Sequence, residues 1–308
     1  MHIVSGFISG INGRVDRDLS KYVALGKELM ACKIPMTIFL EKDVFDSHFL
    51  NLFDGEKRES GDFLYICQGG VLDGMRNKYS YSVFGHITIV FFEKTDMFLW
   101  PYQSMAHRFA LNTGNPGKDT LGYMMVQCQK TEWVSIASSL HLFSFKMSEK
   151  CATDCASFMR NGVKAEKMEE YIWMDFGIFH MFRGKIDVFQ VELYRLRSRL
   201  AKRPNLGKEG KEGKGKITIA RCMDPNRAFV GDLYKDISWL FAGSIFGGDC
   251  VSISRFALLM REKCFQVLRE KNTLMWEINI WALIYKEVPD LFFLYSSDHS
   301  EIIARGYC

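Results

Sequence analysis

A strand–helix–strand pattern in the first forty residues limits what this chain can fold into more than any other feature. Ile3 to Ser9 is a short apolar run ending in small residues, and Pro35 opens a second, Met36 to Leu40. Between them, Leu19 to Met30 places Tyr22, Leu25, Leu29 and Met30 near helical spacing. Two strands separated by a helix are not a hairpin; they run parallel, joined by a right-handed crossover. A parallel sheet needs helices on its faces, so the expected class is α/β with a mostly parallel central sheet flanked by helices. Open sheets of this kind bind ligands beyond the carboxyl ends of their strands. The Ser5-Gly6-Phe7 turn and Glu41 therefore fall where a nucleotide is expected, with Arg14, Arg17 and Lys42 as cations for phosphate oxygens. Each of those three cations reads equally well as a solvated surface charge.

The remainder must supply more strands and covering helices. Of 308 residues, 48% are hydrophobic and 25 are Phe, enough to cover a large core, which excludes global disorder. Tyr123 to Leu140 reads as a helix, Lys150 to Lys167 as a helical or irregular stretch, and Tyr171 to Met174 as a compact strand. Val188 to Leu193 is a further candidate strand. An apolar segment from Trp239 ends in Gly247-Gly248-Asp249, and long amphipathic helices follow over about Ser252 to Glu270 and Met275 to Lys286. Pro289 stops the second helix, and Leu291 to Tyr295 forms a last strand. No apolar stretch is long enough to span a bilayer, and Met1 to Gly10 lacks the pattern of a signal peptide. The nine cysteines show no paired spacing; Cys151 and Cys155 have no second pair or His cluster, so no zinc site is expected. A soluble, cytoplasmic protein without stable membrane insertion is the expectation.

The formal charge of +4 is misleading as an average. Arg195 to Lys216 holds nine Lys/Arg, two Glu and four Gly, a net +7, leaving the other residues at −3. The run reads as a flexible basic loop at about 195–216. It lacks interleaved aromatics for stacking on bases, so nucleic acid is not an expected partner, although the loop is what a nucleic-acid-binding alternative would use.

Four constellations carry the chemistry. Tyr171-Ile172-Trp173-Met174 runs straight into Asp175-Phe176-Gly177, which places one carboxylate at the ligand edge of the sheet; there it caps a turn or meets something positive, such as a divalent cation. Phe241 to Asp249 is glycine-rich, with Gly243, Gly247 and Gly248 allowing close approach of a ligand or forming a strand-to-helix turn that Asp249 caps. Glu277 lies early in a helix among large apolar residues, suited to taking a proton or to favourable helix-end charge placement. His299, after Asp298, is a metal-ligand candidate or an exposed side chain. Lys130 alone reads as a surface lysine.

In order, these pieces resemble the HtrL/YibB family of glycosyltransferase-like proteins, of GT-A fold. The segments carrying the likeness are Val4 to Phe7, Met125 to Glu132 with Lys130, Trp173-Met174-Asp175-Phe176-Gly177-Ile178, Ala242 to Gly248, and Glu277 in a late helix. The resemblance implies one GT-A-like domain over 1–308 and transfer of a sugar from a nucleotide-diphosphate donor, UDP-linked, to a hydroxyl of a glycan or glycoconjugate acceptor. It places Ser5, Gly6, Phe7, Arg14, Glu41, Lys130, Met174, Asp175, Phe176, Gly177, Gly243, Gly247 and Gly248 around the donor. It implies Mn²⁺ or Mg²⁺ held by Asp175 with His299, and Glu277 or Asp249 as the base. The second acid of the family's D-x-D motif is Gly177 here, a departure that also leaves open a catalytically inactive interaction module. Tyr79-Ser80-Tyr81 and Trp100-Pro101-Tyr102 are candidate acceptor-side aromatics.

Overall fold

The computed structural model describes the chain except residues 12–17, 68–69, 107–117, 149–169, 183–184, 203–214, 230, 299, 301–306 and 308. Arg14, Arg17, His299, Cys151, Cys155 and the stretch from Lys150 to Lys167 therefore lie outside the described residues.

The opening unit forms as its pattern dictates. Strand β1 (His2–Phe7) pairs in parallel with β2 (Met36–Leu40), and helix α1 (Leu19–Met30) crosses between them, capped by the Asp18 side chain on the Lys21 amide. Further strands are β3 (Arg58–Ile66), β4 (Arg76–Phe84), β5 (Ile87–Phe91), β6 (Tyr171–Met174), β7 (Ile217–Arg221), β8 (Phe241–Gly248) and β9 (Phe292–Ser296). All join one nine-stranded sheet in the order β3-β4-β5-β2-β1-β6-β8-β7-β9. The protein is α/β, but the sheet is mixed rather than mostly parallel. Pairings β5-β2, β2-β1, β1-β6 and β7-β9 are parallel, and β3-β4, β4-β5, β6-β8 and β8-β7 are antiparallel.

Helices cover both faces. Alternate strand residues point opposite ways: Ile3, Ile38, Ile172 and Met174 pack on the α1 side, while Val4, Phe39 and Trp173 pack on the other. On the first side lie α1, α2 (Lys42–His48) and α4 (Ile186–Lys202). On the second lie α3 (Leu121–Ser148), α6 (Cys250–Lys271) and α7 (Glu277–Glu287); the short α5 (Pro225–Ala228) precedes β8. Helix α3 is buried all round from Cys128 to Ser138. Its Trp133 stacks between Phe39 and Trp173 at ring distances of 5.7 and 5.6 Å. Each such ring buries about 150–250 Å², worth about 4–6 kcal/mol at roughly 25 cal/mol per Å². No described helix is long and apolar enough to cross a membrane.

Several expectations are corrected. Val188 to Leu193 is helix, because Phe189, Glu192, Leu193 and Leu196 recur at helical spacing and are buried. The same helix takes in Arg195 to Lys202, so the basic run starts as structure, and its 203–214 portion lies outside the described residues. Tyr79 is buried against Phe63 and Phe92 and offers no open ring to a sugar, whereas Tyr81, Trp100 and Tyr102 are half-buried.

Candidate functional site

Among the described residues, the sheet has a switch point at β1. From β1 the chain moves outward through β2 and β5, and it later returns to the other side of β1 as β6. Beyond the carboxyl ends of β1 and β6 the connections diverge, and a ligand fits between them. An open cleft lies there, walled by Phe7, Tyr22, Tyr123, Trp173 and Phe176, with Gln127, Lys130, Asp175 and His180 among its polar members.

Backbone detail explains the shape. Ser5 is not a ligand contact: its hydroxyl is buried and donates to the Met174 carbonyl at 2.7 Å, locking β1 to β6. Met174 itself is fully buried. Gly6 does line the cleft, and a Cβ there would sit 2.8 Å from the Trp133 ring. Phe176 turns inward over Gly26 of α1, where a Cβ would lie 2.1 Å from its ring. Gly177 lines the cleft beside Tyr22. Glu41 accepts from the Ser9 amide at 2.6 Å, so it fixes the loop after β1.

Asp175 is the carboxylate that reaches the cleft, with its side chain 33% exposed. One oxygen, Oδ1, accepts from Trp173 Nε1 at 2.8 Å and from Lys130 Nζ at 2.9 Å. Lys130 is no surface lysine; it is 2% exposed and gives its other donors to Glu277 Oε1 at 2.9 Å and the Gly243 carbonyl at 3.0 Å. An ammonium has three donors, and all three are used. Burial pulls the Lys130 pKa down, but the carboxylates of Asp175 and Glu277 more than reverse this and raise it, so the charge is held at neutral pH. Glu277 is buried behind Lys130 and does not line the cleft; its Oε2 has no hydrogen-bond partner among the described residues. Gly243 makes the arrangement possible, since a Cβ there would lie 2.2 Å from Glu277 Oε1.

Other expected residues are not brought to the cleft. Asp249 caps α6, accepting from the Ser252 amide at 2.8 Å and the Gly215 amide at 3.0 Å. It follows Gly248, which pairs with Tyr171 at the amino end of β6, whereas Asp175 lies beside Ser244; five residues of extended strand separate the two by about 17 Å. Gly247 and Gly248 lie at the same far end, inside β8 rather than in a ligand loop. There Gly247 makes room for Tyr307. Asp298 follows β9, three strands from β6, about 14 Å across the sheet.

Among the described residues, the donor set around Asp175 does not fit a divalent cation. Oδ1 is already taken, Gly177 replaces a second acid, and no described group of three or more His, Cys, Asp or Glu is placed to hold a metal. A doubly charged ion about 4 Å from the Lys130 ammonium would meet a repulsion of about 8 kcal/mol at an effective dielectric near 20. No family model matches the chain, and no curated protein or solved structure matches it significantly. The site therefore has to be read from its own geometry. The element the sequence missed is the Lys130–Asp175–Glu277 contact, since its members are 45 and 102 residues apart and only the fold joins them.

Proposed function

We propose that the chain is a GT-A-like glycosyltransferase whose cleft between β1 and β6 takes a nucleotide-diphosphate sugar and passes the sugar to a hydroxyl of a glycan acceptor. The observation that carries this reading is a partly exposed carboxylate, Asp175, the single one lining the cleft among the described residues, at the carboxyl end of β6 in an aromatic-walled cleft at the switch point. Rings such as Tyr22 and Tyr123 suit a base or a sugar face, and a carboxylate suits sugar hydroxyls, which are hydrogen-bond donors. In this reading Trp173 and Lys130 fix Asp175, and Glu277 holds Lys130 rather than acting as the base. Trp239, 40% exposed beside a second cleft and edge-on to Trp276, offers an acceptor sugar a ring to stack on.

The test is Asp175→Asn, assayed by calorimetry with UDP-sugars and by donor hydrolysis. A hydrogen bond to a charged group contributes about 1.5–3 kcal/mol, so binding should weaken roughly 10- to 100-fold with the fold intact. Unchanged binding and turnover would remove Asp175 from the mechanism. Failure of any nucleotide sugar to bind the native chain would leave an interaction module as the surviving reading.

A further inference from the structure

Two acidic side chains and a backbone carbonyl converge on one point behind the cleft, and that point holds the Lys130 ammonium. Nζ lies 2.9 Å from Asp175 Oδ1, 2.9 Å from Glu277 Oε1 and 3.0 Å from the Gly243 oxygen. Two carboxylates with a carbonyl form an all-oxygen set, the kind hard cations take. The acidic side is not saturated: one ammonium faces two carboxylates, and Glu277 Oε2 is buried without a partner among the described residues. Lys130 arrives from the most enclosed part of α3, so it is fixed in place by the core rather than by the ligand.

We propose that Lys130 is a resident cation holding the place that a divalent metal would take, and that the cleft binds its sugar nucleotide without one. The inference rests on the reading of the cleft given above. Lys130 is then a positioning residue, since its three donors are spent inside the protein and none is left for phosphate. Asp175 meets the ligand directly, accepting hydrogen bonds from sugar hydroxyls with the part of its carboxylate that lines the cleft. A corollary separates this from a merely structural lysine. Removing the amine should free both carboxylates and the carbonyl, so the variant should gain a cation site that the native chain lacks.

The probe is Mn²⁺ alone, titrated against the native chain, Lys130→Met and Lys130→Met/Asp175→Asn, with free Mn²⁺ read by electron paramagnetic resonance. Native protein should show no Mn²⁺ binding that depends on Asp175. Lys130→Met, checked for folding by circular dichroism, should bind Mn²⁺ at least about tenfold more tightly, and the double variant should lose the gain. In parallel, UDP binding to native protein should be the same, within about twofold, in EDTA and in Mn²⁺. Native Mn²⁺ binding that a folded Asp175→Asn abolishes, or UDP binding that EDTA abolishes, would overturn the proposal, and the second result needs no variant to fold. Absence of UDP binding in both conditions would instead overturn the sugar-nucleotide reading, while the nucleotide-free Mn²⁺ titrations would still decide the role of Lys130.

Discussion

Helix α3 carries two buried charge clusters two residues apart, and they differ in charge balance and in exposure. Lys130 faces Asp175 and Glu277, and Glu132 faces Arg261 of α6, because residues i and i+2 point to nearly opposite sides of a helix. In the second cluster both side chains are 4% exposed, one acid meets one base, and Cys67 adds a contact to Glu132 Oε1 at 3.7 Å. In the first, two acids meet one base, and one of the acids is a third exposed in a cleft. A sealed and balanced pair ties α3 to α6. An unbalanced cluster with an outward carboxylate has capacity left for a ligand. Burial of charge alone does not mark a site; a buried cluster with one carboxylate open to solvent does.

The sealed cluster should be the costlier to break. Arg261→Met leaves Glu132 buried and uncompensated, which should lower stability by about 3–5 kcal/mol, read as a fall in the urea midpoint. Lys130→Met leaves Glu277 buried and uncompensated as well, but water can reach Asp175 through the cleft, so the loss should sit at the low end of that range, about 3 kcal/mol. Equal losses for the two variants would show that the cleft does not relieve Asp175, and the comparison would fail.

The contrast also marks what the sequence could and could not disclose. The β1-α1-β2 unit is legible because every contact that makes it is local and periodic, and α1 and β2 fall at their expected residues. Strand β6 and Asp175 at its end are legible for the same reason. The β3-β4 hairpin is visible only as alternation, Phe63 and Tyr65 on one face of β3 with Tyr79 of β4 opposite Phe63, which a reading attentive to period two would find. Lys130 and Glu132 are a different matter. Two charges in mid-helix signal a solvated face unless something says the helix is enclosed, and what encloses α3 is the sheet on one side and α6 on the other. Val188 to Leu193 failed on a short apolar run, where helix and strand periods are hard to tell apart.

A smaller effect belongs to Asp249, which lies at the opposite end of the sheet from both the cleft and its carboxylate. Asp249→Ala removes the cap of α6 and should cost about 1 kcal/mol in the urea midpoint, with ligand binding at the cleft unchanged. Loss of binding in this variant would return Asp249 to the site and would undo the assignment of function to the Lys130 cluster alone.

The finest distinction between the clusters is their response to alkali. Burial, reinforced by the negative charge of Glu132, pushes the Cys67 thiol up from its ordinary value of 9.0 to about 12. A group whose folded pKa is raised contributes stability that is complete below the unfolded value and is lost as pH climbs toward the folded one. The Glu132 side should therefore begin to weaken above about pH 9, when the unfolded thiol ionises and the folded one does not. Lys130 has its pKa raised from an ordinary value of 10.5, so its contribution starts to fall only above that pH. Between pH 9 and 10.5 the two sides should separate. Urea midpoints of native protein and Cys67→Ser, measured from pH 8 to 10.5, should converge or cross as the native chain loses its thiol contribution. Parallel curves would mean that the thiol is not held protonated beside Glu132, and that this cluster is less sealed than its partner on α3.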